Sequence, residues 1–138
     1  MASRPLVLIV DDNPDILVLL RTNLGAAGFE TVEAQNGRVA LATIESSNPD
    51  VVLLDLMMPI MDGWAVLEEL QRRSRRPPVI VVTAVEAPAS AERAQRLGAA
   101  AYVTKPFNVN HLTELIRSVL TGQGAEPPEA EGRSEQGP

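Results

Sequence analysis

Three short apolar runs, Leu6 to Val10 (LVLIV), Val51 to Leu54 (VVLL) and Val79 to Val82 (VIVV), each stop at a polar residue and are separated by stretches with helical spacing. Runs this short, without polar alternation, read as strands covered on both faces. Thr31 to Ala34 (TVEA) alternates and Ala100 to Val103 (AAYV) is only mildly apolar, so both suit sheet edges. Between them, helical spacing is carried by Ile16, Leu19, Leu20 and Leu24, by Val39, Leu41, Ala42 and Ile44, and by Ala65, Val66, Leu67 and Leu70. A fourth helix is expected from about Ala89 to Leu97, stopped by Gly98. A fifth begins near Asn108 and carries Leu112, Leu115, Ile116, Val119 and Leu120.

Five βα repeats imply right-handed crossovers and a parallel sheet with helices on both faces. With the most apolar strands central, the expectation is an α/β, (βα)5 doubly wound five-stranded sheet of order 2-1-3-4-5, the flavodoxin-like arrangement. Its ligands bind where strands one and three diverge, beyond their carboxyl ends. The length of 138 residues, with 45% hydrophobic and 22% charged, fits one compact domain at about residues 1–121. Residues 122–138 (GQGAEPPEAEGRSEQGP) hold no Val, Ile, Leu, Met or aromatic residue and four glutamates against one arginine. Such a segment cannot offset its ordering entropy, so it is expected to be a disordered acidic Pro/Gly/Glu-rich tail, with a linker stub as the alternative.

The absence of cysteine excludes disulfides, thiolate metal sites and cysteine nucleophiles. With neither a leader peptide nor an apolar run near the ~18 residues of a membrane span, a cytoplasmic location is expected. A net charge of -6 argues against direct nucleic-acid binding, which relies on Lys and Arg to neutralise phosphates.

The expected strand ends converge on one pocket: Asp11 and Asp12 after the first, Asp55 after the third, Thr83 after the fourth and Lys105 after the fifth. Three carboxylates in a small volume repel, so either one keeps its proton or a cation sits among them. An all-oxygen set favours Mg2+, or Mn2+ in its place. Singly, each residue has an ordinary reading. Asp12 or Asn13 caps a helix that starts at Pro14, Asp55 begins a turn, and Thr83 is a β-branched strand residue. Lys105 says more, being the only lysine beside eleven arginines.

The segments VLIVDDNP (Val7 to Pro14), LLDLMMPIMDG (Leu53 to Gly63), VTA (Val82 to Ala84) and YVTKPF (Tyr102 to Phe107) closely resemble the receiver domain of two-component response regulators, as in the single-domain chemotaxis regulator. The resemblance covers residues 5–121. It implies that Asp55 accepts a phosphoryl group and that Asp12, Asp55 and the Met57 carbonyl ligate Mg2+, with Asp11 acting through a metal-bound water. Lys105 would neutralise phosphoryl oxygens, Thr83 and Tyr102 would form a switch pair, and Tyr102 would turn inward as Thr83 moves. The Lys105–Pro106 bond would be cis. The changed surface would be that of the fourth helix, fifth strand and fifth helix.

Implied partners are a sensor histidine kinase or histidine phosphotransfer protein, a downstream protein target, and a second copy when phosphorylated. No membrane partner is implied. Such a chain is not a turnover enzyme, since it catalyses only its own phosphorylation and dephosphorylation. Two positions that tune acyl-phosphate lifetime in receivers fall on Met57 and Val85, both apolar, so slow self-dephosphorylation is expected.

Competing functions are weaker. A phosphatase of the haloacid dehalogenase type wants two acids two residues apart on its first strand, whereas this chain has Asp11-Asp12-Asn13. A docking module that never takes phosphate would not need all five pocket groups, and no GxGxxG or GxxxxGK follows any strand. Arg72, Arg73, Arg75 and Arg76 suit the negative end of the third helix. His111 reads as a surface or cap residue, and Gly63 as a turn. Met57, Met58, Ile60 and Met61 read as loop packing. Trp64, the sole tryptophan, is expected close to the pocket, where Mg2+ or a phosphate mimic would change its fluorescence.

Overall fold

A computed structural model describes residues 4–122. The elements are β1 (Leu6–Val10), α1 (Pro14–Ala26), β2 (Glu30–Ala34), α2 (Gly37–Ser47), β3 (Val51–Leu54), α3 (Gly63–Gln71), β4 (Val79–Thr83), α4 (Pro88–Arg96), β5 (Ala101–Thr104) and α5 (Val109–Leu120). The strands form one parallel sheet of order β2-β1-β3-β4-β5, as the apolar pattern requires. Residues 123–138, and with them nearly all of the expected tail, lie outside the described residues. Among the described residues, no helix is long and apolar enough to cross a membrane.

Both faces of the sheet are covered, which is why its central strands lack polar alternation. Leu8, Val10, Val52, Leu54, Val79 and Val81 pack against Ala40 and Ile44 of α2, Val66, Leu67 and Leu70 of α3, and Ala94 of α4. Their neighbours Val7, Ile9, Val51, Leu53, Ile80 and Val82 face the other way, onto Leu17, Leu20 and Leu24 of α1 and Leu112 and Ile116 of α5. The alternation follows from the two-residue period of a strand.

Several boundaries and faces differ from expectation. Thr83 is the last residue of β4 rather than the one after it, and β5 is shifted one residue toward Thr104. In α1 the inward residue of the first turn is Leu17, while Leu19 is 40% exposed. In α2 the inward residue is Ala40, while Val39 is 44% exposed. Helix starts explain this frame. Asn13 caps α1 by accepting from the Asp15 amide, with Pro14 in the first turn, and Asn36 caps α2 by accepting from the Val39 amide, which fixes which residues face the sheet. Asp62 and Asn108 cap α3 and α5 in the same way, the latter through the amide of exposed His111. Arg76 donates to the carbonyls of Leu70 and Gln71 at the end of α3, in accord with the expected dipole role of that cluster.

Candidate functional site

The register places the acids. Val10 pairs with Leu54 across β1 and β3, so the next residues, Asp11 and Asp55, emerge side by side at the carboxyl end of the sheet. The Asp55 amide donates to the Val10 carbonyl at 3.0 Å and the Asp11 amide to the Ala34 carbonyl at 3.1 Å, which pins both backbones. One carboxylate oxygen from each of Asp11, Asp12 and Asp55 lies within 4.8 Å of the others. Asp11 and Asp55 are buried, while Asp12 is exposed.

Lys105 reaches this cluster from β5. Its amide donates to the Thr83 carbonyl at 2.8 Å, tying the end of β5 to β4. Its Nζ lies 2.7 Å from Asp11 Oδ2 and 3.2 Å from Asp55 Oδ2. The Lys105–Pro106 bond is cis, as the resemblance implies. Burial raises the Asp11 carboxyl above its ordinary range; hydrogen bonds from Lys105 and the Asn13 amide oppose the rise, and the Asp55 charge adds to it. Burial alone would pull Lys105 down, but the Asp11 hydrogen bond and the two carboxylate charges outweigh it and hold the ammonium above the usual lysine range.

Three carboxylates against one ammonium leave the pocket short of positive charge, and the donors are all oxygen. This set fits a hard divalent cation. Met57 follows on the β3–α3 loop, its amide donating to Asp55 Oδ1 at 3.2 Å.

The remaining sequence candidates are brought to the same end of the sheet. Thr83 is fully buried, and its Oγ1 accepts from the Val85 amide at 3.5 Å. Tyr102 is half-buried, and its hydroxyl donates to the Val85 carbonyl at 2.6 Å. The tyrosine thus already points into the β4–α4 loop. Burial, followed by the charge of Asp55, raises its phenol above 10.0. Met58 and Met61 pack on the core, but Met57 and Ile60 are 61% and 75% exposed, so that loop is only half accounted for by packing. Ile60 has φ +72°, with the Met61 amide donating to the Pro59 carbonyl at 2.7 Å in a tight γ-turn. Trp64 is partly buried against the core, and Arg93 of α4 lies 4.1 Å from its ring centroid.

Two contributions, of residues the sequence reading had given other roles, escaped it. Val85 is engaged by both Thr83 and Tyr102, through backbone groups that no side-chain pattern reveals. Gly63 is more than a turn residue. A Cβ there would lie 2.8 Å from Leu56 Cα and 3.0 Å from the Asp55 carbonyl carbon, so α3 begins in backbone contact with the strand end that presents Asp55.

Comparison with known proteins agrees with this geometry. The model of the response regulator receiver domain matches residues 7–117. The regulatory protein AtoC of Escherichia coli is 42% identical over 114 residues, which are 83% of this chain and 25% of that protein. The alkaline phosphatase synthesis transcriptional regulatory protein PhoP of Bacillus subtilis is 30% identical over 130 residues, covering 94% of this chain and 54% of that one. The chain therefore spans about half or less of the length of these relatives. Among solved structures, a CheY-like response regulator receiver domain protein from Methanospirillum hungatei superimposes with a TM-score of 0.82 at 31% identity, over 88% of this chain and 97% of the other.

Proposed function

This chain belongs to the family of response regulator receiver domains, signalling switches of two-component systems, and from that premise we propose that Asp55 is its phosphoacceptor. The observation that carries the proposal is the shared ammonium of Lys105, which bridges Asp11 and Asp55 across two strand ends. A buried acid held beside a fixed cation is poised to work on an anionic group.

Response regulators are phosphorylated by histidine kinases, and the step proposed here is simple in its balance. An Asp55 carboxylate oxygen attacks the phosphorus of a phosphohistidine in line, the P–N bond breaks, and the imidazole leaves with its electron pair. Positioning and charge compensation are nearly all the protein has to supply. Asp11, Asp12, Asp55 and the Met57 carbonyl would hold Mg2+, or Mn2+ in its place, which supplies positive charge to the phosphoryl oxygens. Lys105 Nζ follows its nearby Asp55 oxygen onto the phosphoryl group.

The product carries about one negative charge more than the free carboxylate. Thr83 meets it by turning its hydroxyl toward the phosphoryl oxygens, which releases the Val85 amide and lets the β4–α4 loop and Tyr102 resettle. The surface that changes is α4–β5–α5, where a downstream protein, or a second copy of the phosphorylated chain, would dock. The same reading gives the chain no turnover chemistry beyond its own phosphorylation and dephosphorylation. It also places the chain in the cytoplasm and treats residues 122–138 as an appendage to the switch.

Acetyl phosphate with Mg2+ tests the reading. The wild-type chain should gain one phosphoryl group and Asp55→Asn none, and equal labelling of the variant would refute the assignment.

A further inference from the structure

Helix α4 is weakly held by its own sequence. Of its residues only Ala94 is buried, and its first turn has no side-chain cap at Ala87. Besides packing Ala94 into the core and lying against β5, it is held by a line of side chains on α3. Trp64, Glu68 and Gln71 recur at helical spacing and so share one face of α3. That face meets α4 at three points. The guanidinium of Arg93 lies 4.1 Å from the Trp64 ring centroid. The same guanidinium is 3.3 Å from Glu68 Oε2. Gln71 Nε2 donates to the Arg96 carbonyl at 3.2 Å. At the far end of α4, Gly98 has φ +97°, and a Cβ there would come within 3.4 Å of Gln71 Oε1, so the helix end also rests against α3.

We infer that Arg93, held between Trp64 and Glu68, is a latch that keeps α4 in its resting position and thereby sets how readily the phosphorylated conformation is reached. Two features of the geometry point this way. First, α3 is fixed to the phosphoacceptor, because Gly63 sits in backbone contact with Asp55 and Leu56, directly before Trp64. A helix fixed to Asp55 gives the latch a stationary side. Second, the Arg93 and Glu68 side chains are 46% and 50% exposed, so their contacts are weak enough to open without unpacking the core. An exposed stacked arginine with a surface ion pair biases a two-state equilibrium by about tenfold at most. The latch differs from the Thr83–Val85–Tyr102 chain, which reaches α4 from the strand side. Because a ligand that favours the moved α4 must first open the latch, removing it raises that ligand's apparent affinity.

This inference rests on the phosphoacceptor reading, and the test separates the two. Beryllofluoride with Mg2+ stands in for the phosphoryl group, and its occupancy is read from the fluorine resonance of the bound form. In the wild-type chain, Trp64 emission should change as the site fills, since Arg93 leaves its ring. In Arg93→Ala and in Glu68→Gln, both at exposed positions, half-occupancy should fall to a several-fold lower concentration, by about tenfold at most for Arg93→Ala. Arg93→Lys should lie between wild type and Arg93→Ala. Asp55 labelling by acetyl phosphate should persist in all three. Labelling with an unchanged midpoint in both Arg93→Ala and Glu68→Gln would overturn the latch alone. Absence of labelling in the wild type would overturn the phosphoacceptor reading and the latch with it.

Discussion

Tyr102 donates its hydroxyl to the carbonyl of Val85 at 2.6 Å, while the amide of the same Val85 donates to Thr83 at 3.5 Å. A buried hydroxyl at the end of β4 and a half-buried phenol on β5 are therefore connected through one residue of the β4–α4 loop. Any turn of Thr83 toward a phosphoryl group withdraws an acceptor from the Val85 amide, while Tyr102 holds the carbonyl of the same residue.

The phenol gives a direct readout, because Tyr102 is the only tyrosine. Its pKa is raised above 10.0 by burial first and by the Asp55 charge second. Spectrophotometric titration of the folded chain should give a midpoint above that of the unfolded chain, and Asp55→Asn should lower it only in part. A group raised in this way adds stability that is complete below the unfolded phenol's pKa and is lost as pH rises through the folded value. Tyr102→Phe should cost about 1 kcal/mol in urea unfolding at neutral pH.

Asp12 is the one exposed member of the acidic cluster, and it repels two buried carboxylates. Asp12→Asn should therefore stabilise the metal-free domain by about 0.5 kcal/mol. Mg2+ at a hundred times its dissociation constant should stabilise the wild type by about 2.7 kcal/mol, and Asp12→Asn should lose most of that increment. Thermal melts with and without Mg2+ measure both effects, and an equal Mg2+ increment in the variant would remove Asp12 from the ligand set.

Alanine usually favours a helix, yet Gly63→Ala should destabilise by about 1–3 kcal/mol, because its methyl group meets backbone rather than a movable side chain. The displaced strand end should also weaken Mg2+ stabilisation. A neutral or stabilising result in denaturant unfolding would show that α3 does not rest on Asp55.

Met57 and Val85, at the two positions that the receiver resemblance links to acyl-phosphate lifetime, have no side-chain group to orient an attacking water. Met57→Asn or Val85→Glu should shorten the acyl-phosphate lifetime by about tenfold, less than the ~10²-fold that a full general base supplies. Decay of radiolabelled chain after removal of the donor measures it, and unchanged lifetimes in both variants would contradict the expectation.

The sheet was legible because its central strands, such as Val7 to Val10 and Val51 to Leu54, are short apolar runs without alternation, as burial on both faces demands. The pocket groups were legible because each lies at a strand end, where a parallel sheet gathers polar residues at one pole. Three things were not. Apolar residues lie on more than one side of α1 and α2, so Leu19 and Val39 were counted inward although they sit half-exposed beside buried Leu20 and Ala40. The backbone of Val85 carries no side-chain signature. The pairing of Trp64 with Arg93 joins residues 29 positions apart on two different helices, a relation set by packing and invisible to local periodicity.

The central claim is that a phosphoryl group becomes bonded to the side chain of residue 55. Borohydride reduction of the acetyl phosphate-treated chain converts an aspartyl phosphate to homoserine, and peptide mapping by mass spectrometry then locates it. The account predicts homoserine at position 55 of the wild type, dependent on Mg2+ and absent from Asp55→Asn. Homoserine at position 11 or 12 instead, or its formation in Asp55→Asn at the wild-type level, would contradict it.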